Sequence, residues 1–77
     1  MRQEKTLADL SVGERCHVTE LTGRGPMRRR LLDIGLVKNA AVECVGRSPG
    51  GDPRAYLICG AVIAIRRRDA RGVRVTV

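Results

Sequence analysis

Residues 25–36, Gly-Pro-Met-Arg-Arg-Arg-Leu-Leu-Asp-Ile-Gly-Leu, spell a short helix together with both of its ends. Pro26 suits the first helical position, where the amide hydrogen it lacks has no intrahelical partner anyway. Gly35 suits the left-handed position just past the last turn, from which Leu36 folds back onto that turn. Between these ends Met27, Leu31 and Ile34 recur at i, i+4 and i+7 as one apolar stripe. Leu32 falls outside it: at about 100° per residue it points to the opposite side, beside Arg28 and Arg29. A helix of two turns is not stable alone in water. The rest of the chain must supply a surface for the stripe, and the other face is left offering a leucine among arginines.

The order of charges in this helix runs against local stability. Three arginines crowd the positive end of the helix dipole and Asp33 sits near the negative end. Arg29 and Asp33 stand four apart in the less favourable orientation. A broken local rule points to function or to a tertiary pairing. The competing reading lays the arginine stems over the domain and pairs their heads with acids elsewhere.

The 77 residues are expected to form a single domain, residues 1–77, near the lower limit for a self-sufficient core. Tyr56 is the only aromatic residue, so that core must be built from Val, Ile, Leu and Ala. No apolar run approaches the roughly 20 residues of a membrane-spanning helix. The first residues, Met-Arg-Gln-Glu-Lys-Thr-Leu, carry charge with no apolar stretch behind, so no secretion signal is expected and the compartment is expected to be the cytosol. Cys16, Cys44 and Cys59 are odd in number and widely spaced, and read as reduced, small core residues. Net charge is +7, from thirteen arginines and two lysines against eight acids, which favours an anionic partner. One aromatic residue excludes a stacking platform for single-stranded bases and an aromatic groove for proline-rich ligands.

Along the chain, Thr6 to Val12 reads as an entry segment anchored by Leu7 and Leu10. Residues 14–21 alternate, with Cys16 and Val18 on one side and His17 and Thr19 on the other, as a half-buried strand does. After the helix, residues 37–39 turn into a second strand, 41–47, with Val42 and Cys44 inward and Glu43 outward. Ser48-Pro-Gly-Gly-Asp-Pro53 is the most turn-rich segment. It leads to strands at 54–59 and 62–66, joined by a tight hairpin at Gly60. Arg67 to Ala70 reads as a single helical turn, and Val73, Val75 and Val77 alternate in a last strand. Five short strands and one small helix in so few residues predict a mostly β, small barrel.

Chemistry-bearing constellations are sparse. Cys16 and His17 are adjacent on a strand and point to opposite faces, so they cannot bind one ion together, and no cysteine pair has zinc-finger spacing. No metal site and no cofactor are expected. Nothing orients His17 toward Cys44 or Cys59 as a base toward a nucleophile, so no enzyme is expected. Gly23-Arg-Gly25 precedes a helix N-terminus but lacks the endings of a nucleotide-binding loop. The run Arg66-Arg-Arg68 reads as a solvated rim.

Four segments in order, Leu10-Ser-Val-Gly-Glu14, Arg30-Leu-Leu-Asp-Ile-Gly-Leu36, Gly51-Asp-Pro53 and Ile63-Ala-Ile-Arg-Arg67 with Asp69-Ala70 behind it, resemble the FeoA family of bacterial ferrous iron uptake. The resemblance runs over nearly the whole chain. It implies an SH3-like five-stranded barrel with the helix inserted after the first strand. It also implies a partner, the membrane transporter FeoB, whose cytosolic end carries a guanine-nucleotide-binding domain. The chain would support Fe(II) transport without chemistry of its own and would meet the membrane only through that partner. Three positions depart from the family's habit: Lys38-Asn39 where a Pro-Gly turn is common, Gly50-Gly51 in the loop, and Cys59 and Ala61 flanking the hairpin glycine.

The expected contact residues are Arg28, Arg29 and Leu32 on the outward helix face, with Pro49, Asp52 and Pro53 of the turn-rich loop expected beside it. Leu32 would be the anchor and the arginines a charged rim. The alternative from a different class is a basic small barrel that binds nucleic acid or belongs to a transcriptional regulator, although no helix-turn-helix precedes it. Direct iron chaperoning would need convergent ligands, and only scattered ones are present. Self-association, where exposed edge strands allow it, is expected to be weak.

Overall fold

A computed structural model describes residues 4–77; the first three residues of the charged N-terminal stretch lie outside the described residues. Strand β1 spans Glu4–Thr6, β2 Arg15–Leu21, β3 Ala41–Arg47, β4 Arg54–Ile58, β5 Ala61–Ile65 and β6 Val73–Thr76. Helix α1 spans Pro26–Asp33 and the single turn α2 spans Arg67–Ala70, with a 3₁₀ turn at Leu7–Asp9. All strand pairings are antiparallel, and the strands form one sheet in the order β1-β6-β2-β3-β4-β5.

Strands β2 to β6 lie within one residue of the segments expected for them, β2, β3 and β6 from alternation and β4 and β5 from the turns that flank them. Cys16, Val18, Val42 and Cys44 are buried while Arg15, His17 and Ala41 face out, because successive side chains point to opposite faces. The expectation of five strands with the helix after the first is corrected here. Among the described residues the sheet has six strands, and α1 follows the second. The extra strand, β1, is Glu-Lys-Thr, a polar triplet with no apolar alternation. Backbone pairing with Thr76, Val75 and Arg74 of β6 makes it a strand, and that leaves no trace in hydrophobicity.

Two irregularities bend the sheet. The β2–β6 register shifts between Val18 and Glu20, and the β3–β4 register shifts between Cys44 and Gly46. Each marks an extra residue on one strand, which locally increases bend and twist.

The inner face closes over an aliphatic core in which Leu7, Leu10, Leu36, Val73 and Val75 are fully buried. Tyr56 is the largest side chain inside and only 1% exposed. Its hydroxyl donates to the Leu7 carbonyl at 3.1 Å. Two residues earlier, the Arg54 guanidinium donates to the Ala8 carbonyl at 3.3 Å and also to that of Leu10. The start of β4 is thereby tied across the molecule to the 3₁₀ turn by side chains. Below the turn, Glu14 accepts from the Ser11 backbone N–H at 3.0 Å and pairs with Lys5 at 3.2 Å. These two contacts, the Ser11 amide first, hold its carboxyl below the usual range.

Burial pushes the Tyr56 phenol up to about 12 from its ordinary 10, with further contributions from neighbouring groups. The folded state therefore holds this proton more tightly than the unfolded chain does. Its contribution to stability is complete below pH 10 and is lost as pH rises from about 10 to about 12. Tyr56→Phe should cost about 1 kcal/mol at neutral pH, since the Leu7 carbonyl keeps its bond from the Leu10 amide. It should also flatten this alkaline loss. Urea unfolding at neutral and alkaline pH measures both.

Candidate functional site

Helix α1 is held by its ends and by one face. Gly25 enters it at φ +77°, a conformation that glycine adopts without penalty, and Pro26 takes the first position. At the far end Gly35 has φ +110°. The Leu36 amide returns to the Leu31 carbonyl at 3.1 Å and the Gly35 amide to the Leu32 carbonyl at 3.0 Å. This pair of bonds is the Schellman closure, and Leu36 is buried behind it as the sequence suggests. A side chain at Gly35 would have no room: a Cβ there would stand 2.6 Å from the Cys59 sulfur.

The stripe docks as its spacing requires. Leu31 is buried, and Met27 and Ile34 pack partly buried against the core. On the other side Arg28 and Arg29 are exposed and Leu32 is half-buried. With Gly25, Pro26 and Asp33 these three line one shallow depression. Arg28 has a second task, since its Nη1 donates to the Leu21 carbonyl at 2.9 Å and pins α1 to the end of β2. The ion pairs among the described residues, Lys5–Glu14 and Arg15–Glu43, lie elsewhere. The helix arginines thus keep their charge for solvent or a partner.

The loop residues sit differently. The Gly51 amide bonds the Ser48 carbonyl at 2.8 Å and the Ser48 amide bonds the Pro53 carbonyl at 3.1 Å, which folds the loop on itself. Asp52 Oδ1 accepts the Arg67 backbone N–H at 2.8 Å, placing a carboxylate at the start of α2. Pro49 is exposed and Pro53 half-buried. None of the three lines the depression under Leu32. The structure brings Arg28, Arg29 and Leu32 together and leaves Pro49, Asp52 and Pro53 outside that depression.

The three cysteines are free, as read, but not all are core residues. Cys16 and Cys44 are buried, and burial, with Glu14 nearby, pushes the Cys16 thiol up to about 11. Cys59 is exposed, which corrects the expectation. It is the first residue of a two-residue hairpin turn, Cys59-Gly60, with both residues left-handed at φ +50° and +81°. The turn carries its side chain outward, toward the Gly35 carbonyl at 4.0 Å. The sequence also gave no notice of Arg54. Its position just after Pro53 resembles any strand opening, and only the curled sheet brings the 3₁₀ turn within reach.

Comparison with known proteins places this geometry among relatives. The chain matches the FeoA domain family over residues 5–77. It is 32% identical over 69 residues to the Fe(2+) transport protein A/Fe(2+) transporter FeoB fusion protein of Porphyromonas gingivalis, covering 90% of this chain but only 8% of that protein's length. The solution structure of the FeoA protein from Chlorobium tepidum superposes with a TM-score of 0.87 at 34% identity, over 95% of this chain and 70% of that one. Zinc-complexed FeoA of Stenotrophomonas maltophilia, described as a procaryotic SH3 domain protein, superposes with a TM-score of 0.84 at 28% identity, over 92% of this chain and 88% of that one. The fold is SH3-like.

Gly35→Ala should destabilise the protein by about 1–3 kcal/mol, from a left-handed backbone and a sulfur in the way. Adding Cys59→Ala should restore part of this and no more, because the backbone strain stays; thermal melts of the single and double variants check it. With a thiol reagent at mildly alkaline pH, Cys59 should react at once and Cys16 and Cys44 only on unfolding. Mass spectrometry of the labelled native protein counts the sites.

Proposed function

The chain belongs to the FeoA family, and from that premise we propose that it is a cytoplasmic accessory protein of bacterial ferrous iron uptake that acts by binding the cytosolic GTP-binding part of a FeoB transporter. The observation that carries this reading is the Porphyromonas gingivalis relative, in which the two proteins are fused into one polypeptide. A fusion holds its parts at high effective concentration, an advantage where they act on each other. Among the described residues no helix is long and apolar enough to cross a membrane, so contact with the bilayer would come through the transporter.

Arg28, Arg29 and Leu32 form the contact surface, with Pro49, Asp52 and Pro53 as a second patch. Leu32 is half-buried, so part of its side chain is already held by the helix and the rest is open to a partner. A pre-positioned apolar anchor beside two arginines that form no ion pair among the described residues suits an interface in which the leucine supplies affinity and the charges supply rate and orientation. No group in this surface has the means to do chemistry, and the effect on transport is one of binding.

Capture of a FeoB cytosolic domain on immobilised protein tests this directly. Leu32→Asp should reduce capture at least about tenfold, as expected for loss of a central anchor. Arg29→Glu should slow association and weaken its dependence on salt. Full capture by a Leu32→Asp protein with a native amide NMR spectrum would rule out this surface.

A further inference from the structure

The two edges of the sheet are unlike. Strand β1 is three residues long and carries Glu4 and Lys5. Strand β5, Ala-Val-Ile-Ala-Ile, is five residues long with no charge and no proline, and among the described residues β4 is its only bonded neighbour. An edge of that kind is open to pairing with another chain unless something blunts it.

The hairpin register says which backbone groups are free. A two-residue turn makes its flanking residues, Ile58 and Ala61, a hydrogen-bonded pair. Alternating down the ladder, Ile63 and Ile65 also bond to β4, while Val62 and Ala64 direct N–H and C=O away from it. No turn, loop or cap bond among the described residues uses the Val62 or Ala64 backbone.

Beside this edge lies a groove of about 320 Å³ between β5, α1 and α2. Ile63, Ala64 and Ile65 line it in succession. Side chains that alternate between faces do this where a groove follows the strand's backbone. Its apolar wall is Met27, Leu31 and Ile34 of α1, and its rim is Arg30, Arg66 and Arg68 with Asp69 among them, so cations outnumber the single carboxylate. The same arginines decide what can enter. A second copy pairing edge to edge would bring two such rims together on chains of net charge +7. An acidic chain is attracted instead.

The geometry points to a peptide-binding site in which an extended partner segment, alternating apolar and acidic residues, adds as a strand to β5. The Val62 and Ala64 backbone groups supply the new ladder, and the α1 wall takes alternate apolar side chains. Arg30, Arg66 and Arg68 pair with the acids. The site is separate from the Leu32 surface and stands or falls independently of it.

Fluorescence polarisation with a labelled peptide of alternating glutamate and valine provides the test. Two further peptides have lysine in place of glutamate, or N-methyl groups on every second amide. The glutamate peptide should bind saturably, and both others at least tenfold more weakly. Ala64→Pro removes an N–H that faces away from β4, leaves that ladder intact, and should weaken binding at least tenfold. The double variant Arg66→Glu, Arg68→Glu serves the same end without touching the backbone, and should reverse the preference between the glutamate and lysine peptides. Leu32→Asp should bind like the unaltered protein. No saturable binding of the glutamate peptide would overturn the proposal, as would equal binding of the N-methylated one. A concentration-dependent dimer abolished by Ala64→Pro would assign the edge to a second copy and overturn it as well.

Discussion

The structure depends on a side-chain clasp between the start of β4 and the 3₁₀ turn. Among the described residues the two ends of the sheet, β1 and β5, share no ladder. What holds the curl closed is Tyr56 reaching Leu7 and Arg54 reaching Ala8 and Leu10. Both side chains end on backbone carbonyls of this one tight turn and the residue that closes it. A single aromatic residue in a chain of 77 is thus spent where it gives volume to the centre and a donor to the rim. Leu7 and Leu10, on the same turn, are fully buried beneath it, so polar clasp and apolar packing reinforce one another.

Helix α1 is secured to this frame from three sides. Its stripe enters the core, its C-terminal closure presses glycine against the β4–β5 turn, and Arg28 reaches back to the end of β2. An eight-residue helix has little stability of its own, so its orientation is inherited from these contacts. The unfavourable placement of arginines near its N-terminus is tolerated for that reason. One of the three offsets part of the cost by serving as a tether.

What the sequence reveals and what it hides divide along physical lines. The ends of α1 were legible because glycine and proline act through their own backbones, β2, β3 and β6 because burial of one face enforces alternation, and β4 and β5 because turn residues bound them. Strand β1 was not legible, since three polar residues become a strand only through a neighbour's hydrogen bonds. Cys59 misled because composition assigns cysteine to the interior, whereas its exposure comes from the backbone of a two-residue turn. The site was legible in part. Helical periodicity set Leu32 apart from the stripe and grouped it with Arg28 and Arg29, and the structure keeps them on one depression. The fate of the 48–53 loop was hidden, because the bond from Asp52 to Arg67 joins segments that only the fold makes neighbours.

The irregularity in β2 has a consequence for how one strand serves two structures. Val18 stands opposite Val75 and Leu21 opposite Val73, so three steps on β2 match two on β6. The additional residue changes odd for even. Without it, Leu21 would share the outward side with His17. With it, Leu21 turns inward and joins the packed interior at the end of the strand that Arg28 grips. A single inserted position thus acts as a phase shifter, letting the first half of the strand line the barrel and the second half build the seat on which the helix rests.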